Sequence, residues 1–287
     1  MARKLTEEEK ATKRLLASPA YKIAYRDSEF MDLDAARPIR LQAELMKPEY
    51  LLRQEKIAST IVVFGGTRIP EPSEAKAKVK QAEADLKQSP KDATLKRQLA
   101  IAKRLEAKSH YYDKAYEFGR LVSSENLLYD DKQYVIITGG GPGIMEAANR
   151  GAFEAGAKSI GLNITLPLEQ APNAYISPEL CFQFHYFAIR KMHFLLRAKA
   201  LVAFPGGYGT LDEVFEALTL VQTQSIRRLP IVLFGEEFWR KLINFEFMVD
   251  EGTIDPGDLE LFIYADEPLD AWNHIKRFYQ NKTNSRK

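Results

Sequence analysis

The chain has 287 residues, 45% of them hydrophobic, enough for a sizeable core in one large α/β domain or two modest ones. Its 41 basic and 39 acidic residues leave a net charge of +2, which argues against a globally basic nucleic-acid binder or a polybasic membrane protein and makes any anion site local. A single cysteine, Cys181, excludes an internal disulfide framework and a clustered thiolate metal site, and fits a reducing cytosol.

The opening stretch, MARKLTEEEKATKRLL, carries charge throughout and lacks the apolar segment of a signal peptide. No later run approaches about 18 uninterrupted apolar residues, so a soluble, cytoplasmic protein with no membrane partner is expected. Thr6 followed by Glu9 has capping-box spacing, and residues 1–54 read as an arm of two or three helices broken near Pro19 and Pro38. The run STIVVFGG, residues 59–66, is the first convincing buried strand, and a domain spanning 55–284 is expected from there. Between Pro72 and Asn126 an Ala-, Lys-, Glu- and Leu-rich stretch broken at QSPKD predicts a helical hairpin, an insertion over about 72–110, and then a helix returning to the sheet.

Further short apolar runs alternate with helical patterns from there on. Strands are expected at 134–138, 159–164, 180–184, 200–204, 230–234 and 261–265, and helices at 143–156, 186–198, 210–224, 236–249 and 267–281. The pattern predicts an α/β, Rossmann-like fold with about seven mostly parallel strands flanked by helices.

Two strand-to-helix junctions are rich in glycine. One runs through Gly139, Gly140, Gly141, Pro142 and Gly143, the other through Gly206, Gly207, Tyr208, Gly209 and Thr210. Ligands of parallel sheets bind outside the carboxyl ends of the strands, where a helix N-terminus offers unpaired N–H groups to a phosphate and glycine lets the backbone approach it. Tight packing is the competing reason for glycine at each turn taken singly. Neither turn fits G-x-x-x-x-G-K-[ST] or G-x-G-x-x-G, so the ligand expected is a phosphate-bearing molecule outside those two classes. Thr210 can add a hydroxyl donor to the same anion.

Ahead of the strand at 200–204, Arg190, His193 and Arg197 stand at i, i+3 and i+7, so two or three of them can face one anion, a solvated basic stripe being the alternative. Asp212 and Glu213 follow the second glycine turn; by residue type alone each can be a helix-start charge or a reacting carboxylate. His110, His185, His193 and His274 have no ligand spacing, so no metal is expected.

The helix IRKMHF, the motif FPGGYGTLDE and the turn TGGGPGIMEAANRGA together resemble the LOG family of cytokinin riboside 5'-monophosphate phosphoribohydrolases, often mislabelled lysine decarboxylases. The resemblance covers roughly residues 58–280 and is to a longer, bacterial-type member. It implies a Rossmann-like homodimer that needs no cofactor and hydrolyses the N-glycosidic bond of a nucleoside 5'-monophosphate, as an AMP nucleosidase or cytokinin-activating hydrolase does. It puts the catalytic roles on Arg190 and Glu213, and the substrate contacts on Lys191, on Gly206, Gly207, Tyr208, Gly209, Thr210 and Asp212, and on Thr219, beside the turn at Gly140, Gly141 and Gly143. Phe194 stands where short plant-type members tend to have methionine, and the arm and the insertion are extra, which leaves the base open between adenine, a cytokinin and another purine. Two other readings compete. One is a non-catalytic carrier of a phosphorylated ligand, like the molybdenum-cofactor carriers, which would not require the Arg190 and Glu213 pair. The other is a lysine decarboxylase, which needs pyridoxal phosphate on a Schiff-base lysine; Lys191 and Lys199 read as ordinary helical lysines.

Overall fold

Seven short, mostly apolar runs pair into one sheet in a computed structural model, which describes residues 3–126, 134–166 and 171–284. They are β1 (Ser59–Phe64), β2 (Tyr134–Thr138), β3 (Ser159–Ile164), β4 (Cys181–Phe184), β5 (Ala198–Ala203), β6 (Ile231–Phe234) and β7 (Phe262–Ala265). Their order is β4-β3-β2-β1-β5-β6-β7, and every pairing is parallel. The expected seven strands are all present, most within one residue of the sequence reading. Lys199, read from sequence as helical, instead lies on β5.

Burial on both faces explains why β1, β2 and β6 read as continuous apolar runs, whereas the edge strand β4 alternates exposed and buried residues. Along β1, Val62 and Phe64 point into one core and Ile61 and Val63 into the other, the period of two that a pleated strand imposes. The first core is closed by α8 (Phe187–Leu196), α9 (Tyr208–Gln222), α10 (Glu236–Leu242) and α11 (Phe245–Asp250), through Phe194, Val214, Trp239 and Phe245. The second is closed by α6 (His110–Asn126), α7 (Ile144–Glu154) and α12 (Pro268–Asn284), through Phe118, Ala148 and Trp272. The helix expected at 236–249 is two helices. Asn244 breaks it by accepting a hydrogen bond from Phe247 N at 3.0 Å and starting α11 afresh.

The chain divides into two compact units, Met1–Lys47 and Pro48–Lys287. In the first, α1 (Glu7–Leu16) opens on the expected capping box: Glu9 N donates to Thr6 Oγ1 at 3.2 Å, and Thr6 N donates to Glu9 Oε2 at 2.7 Å. After α2 (Ser28–Asp32), α3 (Arg37–Gln54) starts one residue ahead of Pro38, so that proline sits in a first helical turn, where its missing N–H costs nothing. In the second unit, α4 (Pro72–Gln88) and α5 (Ala93–Lys108) form the expected hairpin, with Asp92 capping α5 through Thr94 N and Leu95 N. No helix among the described residues is long and apolar enough to cross a membrane.

The chain leaves β1 toward β2 on one side and later returns to its other side as β5. The strand order therefore reverses between β1 and β5, and the crevice outside their carboxyl ends is where a sheet of this kind takes a ligand.

Candidate functional site

Three turns meet at that crevice. Gly66 N donates to Pro205 O at 2.9 Å, which ties the end of β1 to the turn after β5, and Ile144 N donates to Gly66 O at 3.3 Å, which ties in the turn after β2. Gly143 has φ +73°, and a Cβ there would stand 2.9 Å from the Thr67 backbone, so both conformation and space demand glycine. The turn after β2 is braced from below. Thr138 Oγ1 accepts from Gly140 N at 3.0 Å and donates to the buried Asn149 Oδ1 at 2.7 Å, while Asn173 Nδ2 holds Gly141 O at 3.1 Å. The β1 turn, Gly65–Gly66–Thr67, is a third member of the site that the sequence reading did not assign to it. Its signal was present in the two glycines closing STIVVFGG.

The glycines after β5 differ in what the fold asks of them. A Cβ at Gly206 would overlap the side chain of the buried Thr210, so packing accounts for that glycine. Nothing lies within 4 Å of the corresponding position at Gly207 or Gly209, and Gly207 has an ordinary φ of −105°. The fold therefore leaves an open approach to the N-terminus of α9, whose cap residue, Gly207, offers no side chain to its orphan N–H groups. The N-terminus of α7 is likewise uncapped at Gly143. Two bare helix starts on one crevice suit an anion, although each dipole contributes only about 0.3–1 kcal/mol to an exposed charge.

Helix α8 brings the cations. Arg190 Nε donates to Leu162 O at 2.7 Å, and its guanidinium lies over the Phe194 ring, 5.2 Å from the centroid. A Cβ at Gly139 would stand 2.7 Å from Arg190 Nη2, so glycine at this position is what admits the guanidinium beside the turn. Burial pulls the Arg190 pKa below its ordinary value, against the opposing field of Glu213. Lys191 pairs with Asp212 Oδ2 at 2.7 Å and with Glu216 Oε2 at 3.4 Å. Burial works to lower the Lys191 pKa, but the Asp212 hydrogen bond and the charges of Glu213, Glu216 and Asp212 outweigh it, and the ammonium is held above its ordinary value.

Glu213 lies on α9, 8% exposed. Burial raises its carboxyl to about 7; Lys191 and Arg190 pull it down, while Glu216 and Asp212 push it up. A carboxyl poised at neutrality can exchange protons under working conditions. The helix-start reading of the two acids does not hold. Because α9 begins at Tyr208, Asp212 and Glu213 stand in its second turn, where Asp212 serves as the partner of Lys191.

The basic stripe on α8 is split. Arg190 reaches the crevice, whereas Arg197 Nη2 donates to Glu49 Oε2 at 2.9 Å, its Nη1 also reaches Glu49, and its Nε donates to Ile57 O at 3.1 Å. His193, 3% exposed, has Nδ1 3.7 Å from Glu49 Oε1. These two residues therefore neither converge on the crevice anion nor form a solvated stripe. Tyr208 is 93% exposed at the mouth of the β5 turn. Thr219 lies six residues beyond Glu213, about 9 Å along the helix, in an open groove shared with Lys191, Asp212, Phe215 and Glu216 and bordered by Tyr208 of the β5 turn.

A family model described as possible lysine decarboxylase matches residues 145–275, a stretch that takes in Arg190, Lys191 and the whole Pro205–Glu213 motif. The cytokinin riboside 5'-monophosphate phosphoribohydrolases LOG3 and LOG1 of Arabidopsis thaliana are each 28% identical to this chain over 162 residues, covering 55% of it and 71% of the relative. LOG7 of the same plant is 28% identical over 175 residues, covering 60% of this chain and 76% of the relative. Among solved structures, the molybdenum cofactor binding protein from Rippkaea orientalis aligns with a TM-score of 0.47 and 20% identity, over 78% of this chain and 99% of that one. The molybdenum cofactor carrier protein from Chlamydomonas reinhardtii aligns at 0.43 and 23% identity, over 60% of this chain and 89% of that one. The chain is thus similar to the LOG family in sequence, as its motifs indicate.

Proposed function

We propose that this LOG-type chain hydrolyses the N-glycosidic bond of a purine nucleoside 5'-monophosphate, AMP-like or cytokinin, to the free base and ribose 5-phosphate. The observation that carries the proposal is the buried Glu213, its carboxyl raised to about 7, set between two cations at a crevice walled by three glycine turns. The similarity to phosphoribohydrolases supports the same reading.

Each part of the site has a task in that reaction. The 5'-phosphate seats on the bare N-termini of α7 and α9, with Arg190 fixing the phosphate or ribose from the side. As the ribosyl–base bond lengthens, positive charge grows on the sugar, and the Glu213 carboxylate stabilises it. The same carboxylate takes a proton from the attacking water as the new C–O bond forms, the bonding electrons leave with the base, and a proton taken up by the base, from solvent or passed on from Glu213, completes the free base. The buried surroundings of Glu213 make proton acceptance favourable near neutrality, which an exposed glutamate would not provide.

A lysine decarboxylase requires a neutral lysine amine to form a Schiff base with pyridoxal phosphate. Lys191 is held charged by Asp212, and Lys199 is an exposed strand residue over the Tyr279 ring, so neither fits that role. We also place the protein in the cytoplasm as a homodimer, in line with the family resemblance.

The test is incubation with a panel of nucleoside 5'-monophosphates and the matching nucleosides, with free base detected by chromatography. Release from monophosphates and not from nucleosides is the expected result. Binding without release from any of them would make the chain a carrier and overturn the proposal.

A further inference from the structure

Glu213 is faced by four charged groups, Arg190 and Lys191 from α8 and Asp212 and Glu216 from α9. Of the two cations, Arg190 is held by Leu162 O and the Phe194 ring, whereas the ion pairs of Lys191 are to side chains. A lysine ammonium on a flexible stem is drawn to a buried carboxylate nearby. Here its ion pairs among the described residues go to the other two acids instead, at 2.7 Å to Asp212 and 3.4 Å to Glu216.

The second of these pairs is unusual. Glu216 Oε2 is buried and accepts no hydrogen bond among the described residues. Its 3.4 Å approach to Lys191 Nζ is close enough for charge attraction and misdirected for a hydrogen bond. A carboxylate oxygen desolvated without a hydrogen bond is a costly arrangement for packing alone. It makes physical sense as a counter-charge.

We infer that Glu216 is a positioning residue for the proposed reaction: with Asp212 it holds the Lys191 ammonium aside, so that Glu213 is left as a free base instead of being locked into an ion pair. The inference rests on the catalytic reading of Glu213 given above. Two physical effects act together. Glu216 adds a negative charge that disfavours ionisation of Glu213, and it detains a positive charge that would favour it. Removing Glu216 works in one direction through both, toward a more acidic Glu213.

The experiment follows the Glu213 carboxyl directly, by carbon NMR of protein labelled at the glutamate δ-carbon, with the resonance assigned by its loss in Glu213→Gln. Glu216→Gln, nearly isosteric, is expected to lower the Glu213 midpoint by about one pH unit, and to move the acid limb of kcat/KM for AMP hydrolysis down by the same amount. With Lys191 already replaced by methionine, the shift produced by Glu216→Gln should shrink to less than half, because the detained cation is gone. A midpoint that stays in place or rises in Glu216→Gln overturns the inference, and an undiminished shift in the Lys191→Met background overturns its route through lysine. The two readings fail separately: no base release by the wild-type protein with the expected NMR shift rejects the reaction, whereas normal hydrolysis with an unmoved limb rejects the role of Glu216.

Discussion

Helix α8 and its C-cap residue place two arginines near two glutamates, and the two neighbourhoods are opposites. At its far end Arg197 closes on Glu49 with two guanidinium nitrogens, and the Arg197 hydrogen bond holds the Glu49 carboxyl below its ordinary range despite burial. At its near end Arg190 spends its Nε on Leu162 O, Lys191 is paired elsewhere, and burial carries Glu213 up to about 7. The closed pair fastens a helix, and no capacity is left over for a ligand. The open pair keeps charge beside a crevice, the arrangement on which the proposed reaction would draw. The contrast sets a structural use of arginine and glutamate beside the chemical use proposed for the same residue types.

The largest effect expected from breaking this comparison is on turnover. Glu213→Ala should lower kcat for monophosphate hydrolysis by about 10²- to 10⁴-fold, the range for loss of a general base, while circular dichroism and the melting transition show an intact fold. Near-normal turnover would remove Glu213 from the chemistry. Arg197→Met asks the converse question at the closed pair. It leaves Glu49 partly buried without its cation, and should cost roughly 1–3 kcal/mol of stability, discounted from the value for a fully buried pair because both side chains keep some exposure. The pH limb of kcat/KM should not move. Glu49 has a lowered folded pKa, so this pair's contribution is present above the unfolded carboxylate value and is lost as pH falls through the folded one. Denaturant titrations of wild type and Arg197→Met should therefore converge in acid.

A smaller effect sharpens the same distinction in the backbone. Gly207→Ala meets no atom within 4 Å and needs no unusual φ, so stability should change by less than about 1 kcal/mol. If a phosphate approaches there, KM for the monophosphate should still rise severalfold. Gly206→Ala meets Thr210 and should lower the melting temperature as well. Equal behaviour of the two variants would argue that the turn is built for packing throughout.

How much of this was legible in the sequence follows from how local each determinant is. The seven strands were, most plainly where burial on both faces writes apolar runs such as STIVVF and PIVLF into the chain and a glycine junction marks the carboxyl end. The fate of Arg197 was not, because its partner Glu49 lies 148 residues away and helical spacing is the same for a stripe that converges on a ligand and one that splits. The environment of Glu213 was hidden for the same reason: the groups that bury and surround it include Arg190 and Lys191 from a different helix. The start of α9 also differs, at Tyr208 rather than 210, and that shift of two residues removes the helix-start reading of Asp212.

The smallest predicted effect is the most diagnostic of an open site. Glu213 has a folded pKa of about 7 against an ordinary 4.5, so above pH 7 the native state holds a carboxylate that the unfolded chain would hold more comfortably. Glutamine resembles the protonated acid and escapes that cost. Glu213→Gln should therefore be more stable than wild type by about 1–3 kcal/mol above pH 7, while losing the proposed activity. The sign follows from proton uptake: as pH falls from 7 toward 4.5, the native protein takes up its proton before the unfolded chain does and gains stability, so the advantage of the glutamine variant fades. Melting temperatures of the two proteins recorded between pH 5 and 8 should diverge toward the alkaline end. A constant gap across that range, or a less stable variant, would place Glu213 with Glu49 as a residue the fold has already satisfied.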